Sequence, residues 1–174
     1  MNMPDMSVKI CDFGFARPLM IGSQAPLTDY VATRWYRAPE LLLGSLSYGT
    51  GIDIFAIGCI MAELADGEPL LPGDSEVSQL AIISKVIGPI PPKLSHSIPS
   101  NPRAPVLLGN GSVDHPDIDD RFLTRLSFKA VRCLRHMVEV DPDRRVSASK
   151  AIEDPYFQQP ESSLFSLPTT TPFR

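Results

Sequence analysis

Between Ile52 and Leu64 the chain carries apolar side chains around nearly the whole circumference of a helix. Ile52, Ile54, Phe55, Ile57, Ile60, Met61 and Leu64 fall on no single stripe at 3.6 residues per turn. A helix of that kind is stable in water only when other elements cover most of its sides. The pattern therefore predicts a helix at the centre of a domain. Gly67 and Pro69 end it, because glycine accepts the left-handed C-cap and proline cannot continue the ladder.

The remaining periodic segments supply the cover. Pro39 to Leu43 reads as a short helix with proline in its first turn. A second long helix is predicted over Glu76 to Ile87, capped by Asp74 or Ser75 and stopped at Gly88-Pro89. Its acidic first turn suits the positive end of the helix dipole. Helical period returns at Phe128, Val131, Leu134 and Val138 behind Ser127. The turn Asp141-Pro142-Asp143 then leads to a short helix capped by Ser147, carrying Ala151 and Ile152 and closed by Pro155. Ser7 to Cys11 reads as a short strand, and Pro18 to Thr33 as a surface loop. Gly88 to Arg121 holds Pro89, Pro91, Pro92, Pro99, Pro102, Pro105 and Pro116, so it should be mostly irregular and packed on the surface. From Gln158 the Ser, Thr and Pro content predicts a disordered tail. The expected fold is mainly α, with at most one small β-ribbon. One partial domain covers residues 1–157, including the proline-rich insert 88–121, and the tail covers 158–174.

Composition removes several classes of function. A formal net charge of −4, without clustered Lys and Arg, argues against a nucleic-acid partner. No apolar run approaches a bilayer span, and Met1 to Asp5 lack the pattern of a signal peptide. Cys11, Cys59 and Cys133 are odd in number and far apart, which fits small buried hydrophobes in a reducing, intracellular compartment. His96, His115 and His136 have no metal-ligand spacing.

What remains is an ordered set of motifs. Asp12-Phe13-Gly14 follows the apolar strand, and Ala38-Pro39-Glu40 follows at the spacing of an activation segment. Between them runs Thr28-Asp-Tyr30-Val-Ala-Thr33-Arg34-Trp35-Tyr36-Arg37, and Asp-Pro-Asp-Arg-Arg closes the set at Arg145. On these residues, Val8 to Phe157 resembles the C-terminal, helical lobe of cyclin-dependent-kinase-like protein kinases, within the group that holds the cyclin-dependent and mitogen-activated kinases.

The resemblance implies a role for each motif. Asp12 matches the carboxylate that holds Mg²⁺ against the ATP phosphates, where a hard cation prefers oxygen. Cys11 would face the nucleotide pocket or serve as a small core side chain. Thr28 and Tyr30 match a phosphorylated pair, with Arg17 and Arg37 as cationic partners for the added charge. Thr33, Arg34, Trp35 and Tyr36 match the wall that receives the substrate residue just after the phosphoacceptor. Glu40 and Arg145 match a buried ion pair. Asp53 matches an aspartate that accepts hydrogen bonds from the catalytic-loop backbone, with Phe55 where the family usually has Trp. A protein substrate and an upstream activating kinase follow as partners, while the need for a cyclin-like partner stays open. The compartment implied is cytoplasm or nucleus, with the cilium an expectation by resemblance.

The same comparison exposes what the sequence lacks. A kinase grips ATP with a Gly-rich loop and a strand lysine, and transfers phosphate with a His-Arg-Asp loop and its Asn. Neither G-x-G-x-x-G nor H-R-D-x-x-x-x-N occurs in these 174 residues. The expectation is a fragment without the N-terminal lobe or the catalytic loop, inactive by itself and marginally folded. Its parent would be a serine/threonine kinase. The competing reading is a genuine short, non-catalytic interaction module that presents Asp74 to Arg121 to partners.

Overall fold

Ser75, Ser127 and Ser147 each sit in extended backbone and accept a hydrogen bond from an amide three residues on, at Ser78, Ala130 and Lys150. These caps satisfy N–H groups that a helix start leaves without partners. The computed structural model describes residues 9–16, 34–45, 48–96 and 116–158. Among them the helices are α1 (Pro39–Leu42), α2 (Gly51–Asp66), α3 (Glu76–Val86), α4 (Pro92–His96), α5 (Pro116–Phe122), α6 (Phe128–Met137) and α7 (Ala148–Ile152), with 3₁₀ turns at Phe13–Phe15 and Arg34–Tyr36. Gly67 ends α2 in the left-handed conformation at φ 81°, where glycine carries no steric penalty. Of the two caps considered for α3, Ser75 is the one used.

Several expectations are corrected. Lys9, Ile10 and Cys11 form no strand, and Ile10 is 82% exposed. Ser7 and Val8 lie outside the described residues. A strand needs an edge to bond with, and no described element offers one. The proline-rich stretch is helical at both ends, because α4 and α5 each begin at a proline, in the one position where a missing amide hydrogen costs nothing. Residues 97–115 and the tail 159–174 lie outside the described residues. Phe128, read as a core position, is 73% exposed, since it occupies the first residue of α6 and precedes the face that α6 buries. Cys59 and Cys133 are buried, but Cys11 is exposed.

The largest correction concerns α2. Ile54, Phe55, Gly58, Cys59 and Ala62 are buried, yet Ile57, Ile60 and Leu64 are exposed. With Asp53 these three share one face, at helical spacing. The helix is covered on one side and open on the other.

Its covered side organises the core. Phe55, Leu42, Leu43, Leu71, Leu80, Ile83, Phe122, Leu134 and Val138 are all 2% exposed or less and form one cluster that joins α1, α2, α3, α5 and α6. At the end of α2, Asp66 accepts from Arg121 Nε at 2.6 Å and also pairs with Arg125. Burial pushes the Cys59 thiol up to about 12, so it packs as a neutral side chain.

At Gly58, α2 packs tightly against the end of α6. A Cβ there would stand 2.6 Å from Val138 Cγ1 and 3.1 Å from Met137 Cβ. Alanine favours a helix interior over glycine by about 1 kcal/mol, so propensity alone makes Gly58→Ala stabilising. The geometry predicts the reverse, a net loss of about 1–3 kcal/mol from overpacking. Urea denaturation reads the sign directly, and a variant as stable as the parent would show that α6 can retreat from α2 without cost.

Candidate functional site

The segment that leads from Arg34 into α1 is fastened at two points, and each fastening has a distinct chemistry. The first is Glu40, in the first turn of α1 and 3% exposed. Its two carboxylate oxygens accept from Arg145 Nη1 at 2.7 Å and Nη2 at 2.9 Å. Arg145 also donates from Nε to the Glu139 carbonyl, from Nη1 to Gly51 and from Nη2 to Val140. All five guanidinium N–H groups thus have acceptors. The guanidinium lies 5.1 Å from the centroid of the Phe55 ring, within cation–π range. The turn after α6 presents Arg145 through backbone bonds from Arg144 and Arg145 to the Asp141 carbonyl. Lys93 on α4 pairs with both Asp141 and Asp143 at 2.8 Å, and these hydrogen bonds raise its pKa.

The second fastening is the 3₁₀ turn Arg34–Tyr36, whose three side chains hold three different groups. Arg34 Nη2 donates to the Asp74 carbonyl at 2.7 Å, and Trp35 Nε1 donates to the Gly73 carbonyl at 3.1 Å. Tyr36 donates its hydroxyl hydrogen to Glu63 Oε2 on α2 at 2.6 Å. That bond, followed by burial and the Glu63 charge, pushes the Tyr36 phenol up to about 12. Gly73 and Asp74 lie in the link between α2 and α3. The turn is therefore held from below by α2 and from the side by the start of α3.

Arg37 completes the segment on the other side. With Tyr36, Ala38, Leu41, Ile52, Asp53 and Ala56 it lines an open cleft of about 400 Å³. Among the described residues Arg37 and Asp53 make no ion pair with each other or with any other group. Asp53 is exposed at the mouth of that cleft.

Asp12 stands apart. It is exposed and adopts the left-handed conformation at φ 61° and ψ 67°, a region that non-glycine residues enter rarely, Asp and Asn being the usual ones. Its Oδ1 accepts from the Gly14 amide at 3.4 Å, which leaves Oδ2 open. Among the described residues no group of three or more His, Cys, Asp or Glu is placed to hold a metal ion. One free carboxylate fits Mg²⁺ in its commonest mode, one or two protein ligands beside substrate phosphates, and does not make an all-protein cage. Cys11 is exposed next to it. Arg17, Thr28, Tyr30 and Thr33 lie outside the described residues.

The sequence reading missed Glu63, Gly73 and Gln79. Gln79 is fully buried and its Oε1 accepts from the Gly73 amide at 2.9 Å. A signal was present: Gln79 lies on the apolar stripe of α3, four residues before Ile83 and beside Leu80. A lone amide on such a stripe calls for a specific partner. No comparable signal marks Glu63, one acid among the mixed residues at the end of α2.

Residues 1–157 match the protein kinase domain family. The chain is 44% identical over 152 residues to cyclin-dependent kinase-like 5 of Mus musculus, covering 87% of this chain and 16% of that protein. It is 41% identical over 156 residues to cyclin-dependent kinase-like 2 of Oryctolagus cuniculus (87% and 26%). It is 41% identical over 150 residues to cyclin-dependent kinase-like 4 of Homo sapiens (86% and 39%). The chain therefore spans well under half the length of these relatives.

Three expectations follow from the fastenings. Glu40→Ala leaves the buried Arg145 charge without its counter-ion and should cost about 3–5 kcal/mol of folding stability. Arg145→Lys, which keeps the charge but not the fork, should also destabilise; a lysine variant with the parent's chemical-denaturation midpoint would show that charge alone suffices. For Tyr36 the folded pKa lies above the ordinary value near 10. Its contribution to stability is complete below about pH 10 and is lost as pH rises through about 12. Tyr36→Phe should flatten the stability curve in that window, measured by denaturant melts at successive alkaline pH values.

Proposed function

The chain belongs to the protein kinase family, and on that premise we propose that it is the helical, substrate-binding C-terminal lobe of a serine/threonine kinase. The parent enzyme transfers the ATP γ-phosphate to a hydroxyl of a protein substrate. The observation that carries this reading is the double fastening of one segment. Trp35 and its neighbours are held at fixed positions while Glu40, a few residues on, is locked to Arg145. A surface built to receive a peptide needs such pre-organisation, because groups held in place lose less freedom on binding.

The remaining roles follow the family pattern. Asp12 would hold Mg²⁺ together with the nucleotide phosphates, and the ion supplies charge neutralisation there. Arg17 and Arg37 would take up phosphate on Thr28 and Tyr30. The Arg37 guanidinium is suited to this, having no ion pair among the described residues. Asp53 would accept hydrogen bonds from the catalytic-loop backbone. We place the protein inside the cell, with a protein substrate and an upstream activating kinase as partners. Taken alone, the 174-residue polypeptide transfers no phosphate, since it has neither the phosphate-covering Gly-rich loop nor the catalytic base.

Two measurements test the reading together. An antibody against the peptide Gln158–Arg174 should detect an endogenous protein of about twice 19.1 kDa or more. The protein it captures should phosphorylate Ser or Thr with magnesium and ATP, and Asp12→Asn should reduce this to background. A product near 19.1 kDa without transfer would replace the enzyme by a non-catalytic module. Magnesium-dependent transfer by the isolated 174-residue chain would overturn its proposed inactivity.

A further inference from the structure

The wall of Arg34 and Trp35 hangs on two adjacent carbonyls, and what holds those carbonyls is a residue outside the wall. Gly73 and Asp74 are irregular backbone, so their carbonyl positions need a support. On the α3 side the Gly73 amide donates to Gln79 Oε1 at 2.9 Å and to the Leu71 carbonyl at 3.0 Å. The Gln79 amide in turn donates to the Ser75 carbonyl at 2.8 Å. The contact is too close for any side chain at Gly73, since a Cβ would stand 2.4 Å from Gln79 Oε1 and 2.6 Å from Gln79 Cα. From the opposite side Trp35 Nε1 and Arg34 Nη2 donate to Gly73 and Asp74. The turn is thus a link, bonded to α3 through the Gly73 amide and to the wall through the Gly73 and Asp74 carbonyls.

The burial of Gln79 strengthens the case. Its side chain is fully buried, and Nε2 finds no acceptor among the described residues. A half-satisfied amide is a costly way to fill a helix stripe that an apolar side chain of the same length fills better. The one interaction that the amide supplies and a hydrocarbon does not is the bond to Gly73.

We propose that Gln79, through Gly73, is a positioning residue that sets where Trp35 and Arg34 stand. It thereby sets which side chain is accepted immediately after the phosphoacceptor of a protein substrate. The proposal rests on reading Arg34–Tyr36 as the substrate wall. Removing the bond frees the link to shift, and a displacement on the order of 1 Å can cost a reaction about 100-fold in rate, so a substrate that relies on the wall loses more than one that does not. Gln79 itself touches no substrate.

The test uses the full-length protein isolated from its own cells, with Gln79→Met or Gly73→Ala introduced. Met keeps the length and apolar fill of the side chain but not the acceptor, whereas Ala presses on Gln79 from the other side. Peptides randomised only at the position after the phosphoacceptor report specificity. Trp35, the single tryptophan of these 174 residues, reports the wall in the 174-residue chain by its emission. Both variants should reduce the preference at that position, as a ratio of kcat/KM values, by tenfold or more. Preference at other positions and the KM for ATP should stay as in the parent, and the Trp35 emission should move to longer wavelength. A uniform fall at every peptide position, or an unchanged profile with unmoved emission, would overturn the proposal. If the parent protein phosphorylates no peptide, the reading of the wall as a substrate site fails, and the specificity claim with it. The emission then decides separately whether Gln79 holds Trp35 in place.

Discussion

Arg145 is the group on which the arrangement of the site depends. It is a fully buried cation, and an unpaired charge in that position would be expelled or would unfold its surroundings. The chain answers with two oxygens from Glu40 and three backbone carbonyls, from Glu139, Val140 and Gly51. Those acceptors come from three places far apart in sequence: the start of α1, the start of α2 and the turn after α6. Satisfying one side chain therefore fixes three elements relative to each other. A hydrophobic contact is non-directional and tolerates sliding, whereas a fork with every donor used does not. The core around Phe55 supplies most of the burial, and Arg145 supplies the register.

The second fastening works in a different way. Trp35 and Arg34 donate to main-chain carbonyls, so the wall responds to the path of the backbone between α2 and α3 and not to which side chains line it. Tyr36 adds the only charged partner of the three, Glu63. The segment is thus rigid at Glu40, where charge and burial are both high. At Arg34 and Trp35 it is held by two backbone carbonyls, those of the exposed Asp74 and the buried Gly73.

How much of this was legible in the sequence follows from the range of each interaction. Helix starts and stops depend on residues within one turn, and Ser75, Ser127, Ser147 and Gly67 stand where local chemistry requires them. The pairing of Glu40 with Arg145 came from resemblance, since nothing local connects residues 105 positions apart. The short helices α4 and α5 escape the sequence reading because seven prolines between Gly88 and Arg121 read together as breakers, whereas Pro92 and Pro116 each start a helix, as Pro39 does. Lys9 to Cys11 form no strand because a short apolar segment says nothing about whether an edge is available to pair with it. Gln79 was overlooked because the stripe was read for its apolar members, while the informative residue was the polar exception.

The open face of α2 shows the limit of periodicity most clearly. A helix apolar on nearly every side predicts cover on most of its sides, yet Asp53, Ile57, Ile60 and Leu64 form a continuous exposed row. Covering apolar surface is worth roughly 25 cal/mol per Å², so leaving the row in water forgoes stability that the sequence was composed to gain. The candidate site lies along the border of this row. Asp53 and Ile52 line the cleft beside Arg37, and Glu63, next to Leu64, holds Tyr36. The same helix therefore serves two surfaces: its covered side builds the core that orients Arg145, and its border carries the groups that position the wall. A change on either side of α2 reaches the site through the helix itself, because sixteen residues joined by a continuous hydrogen-bond ladder move as one body.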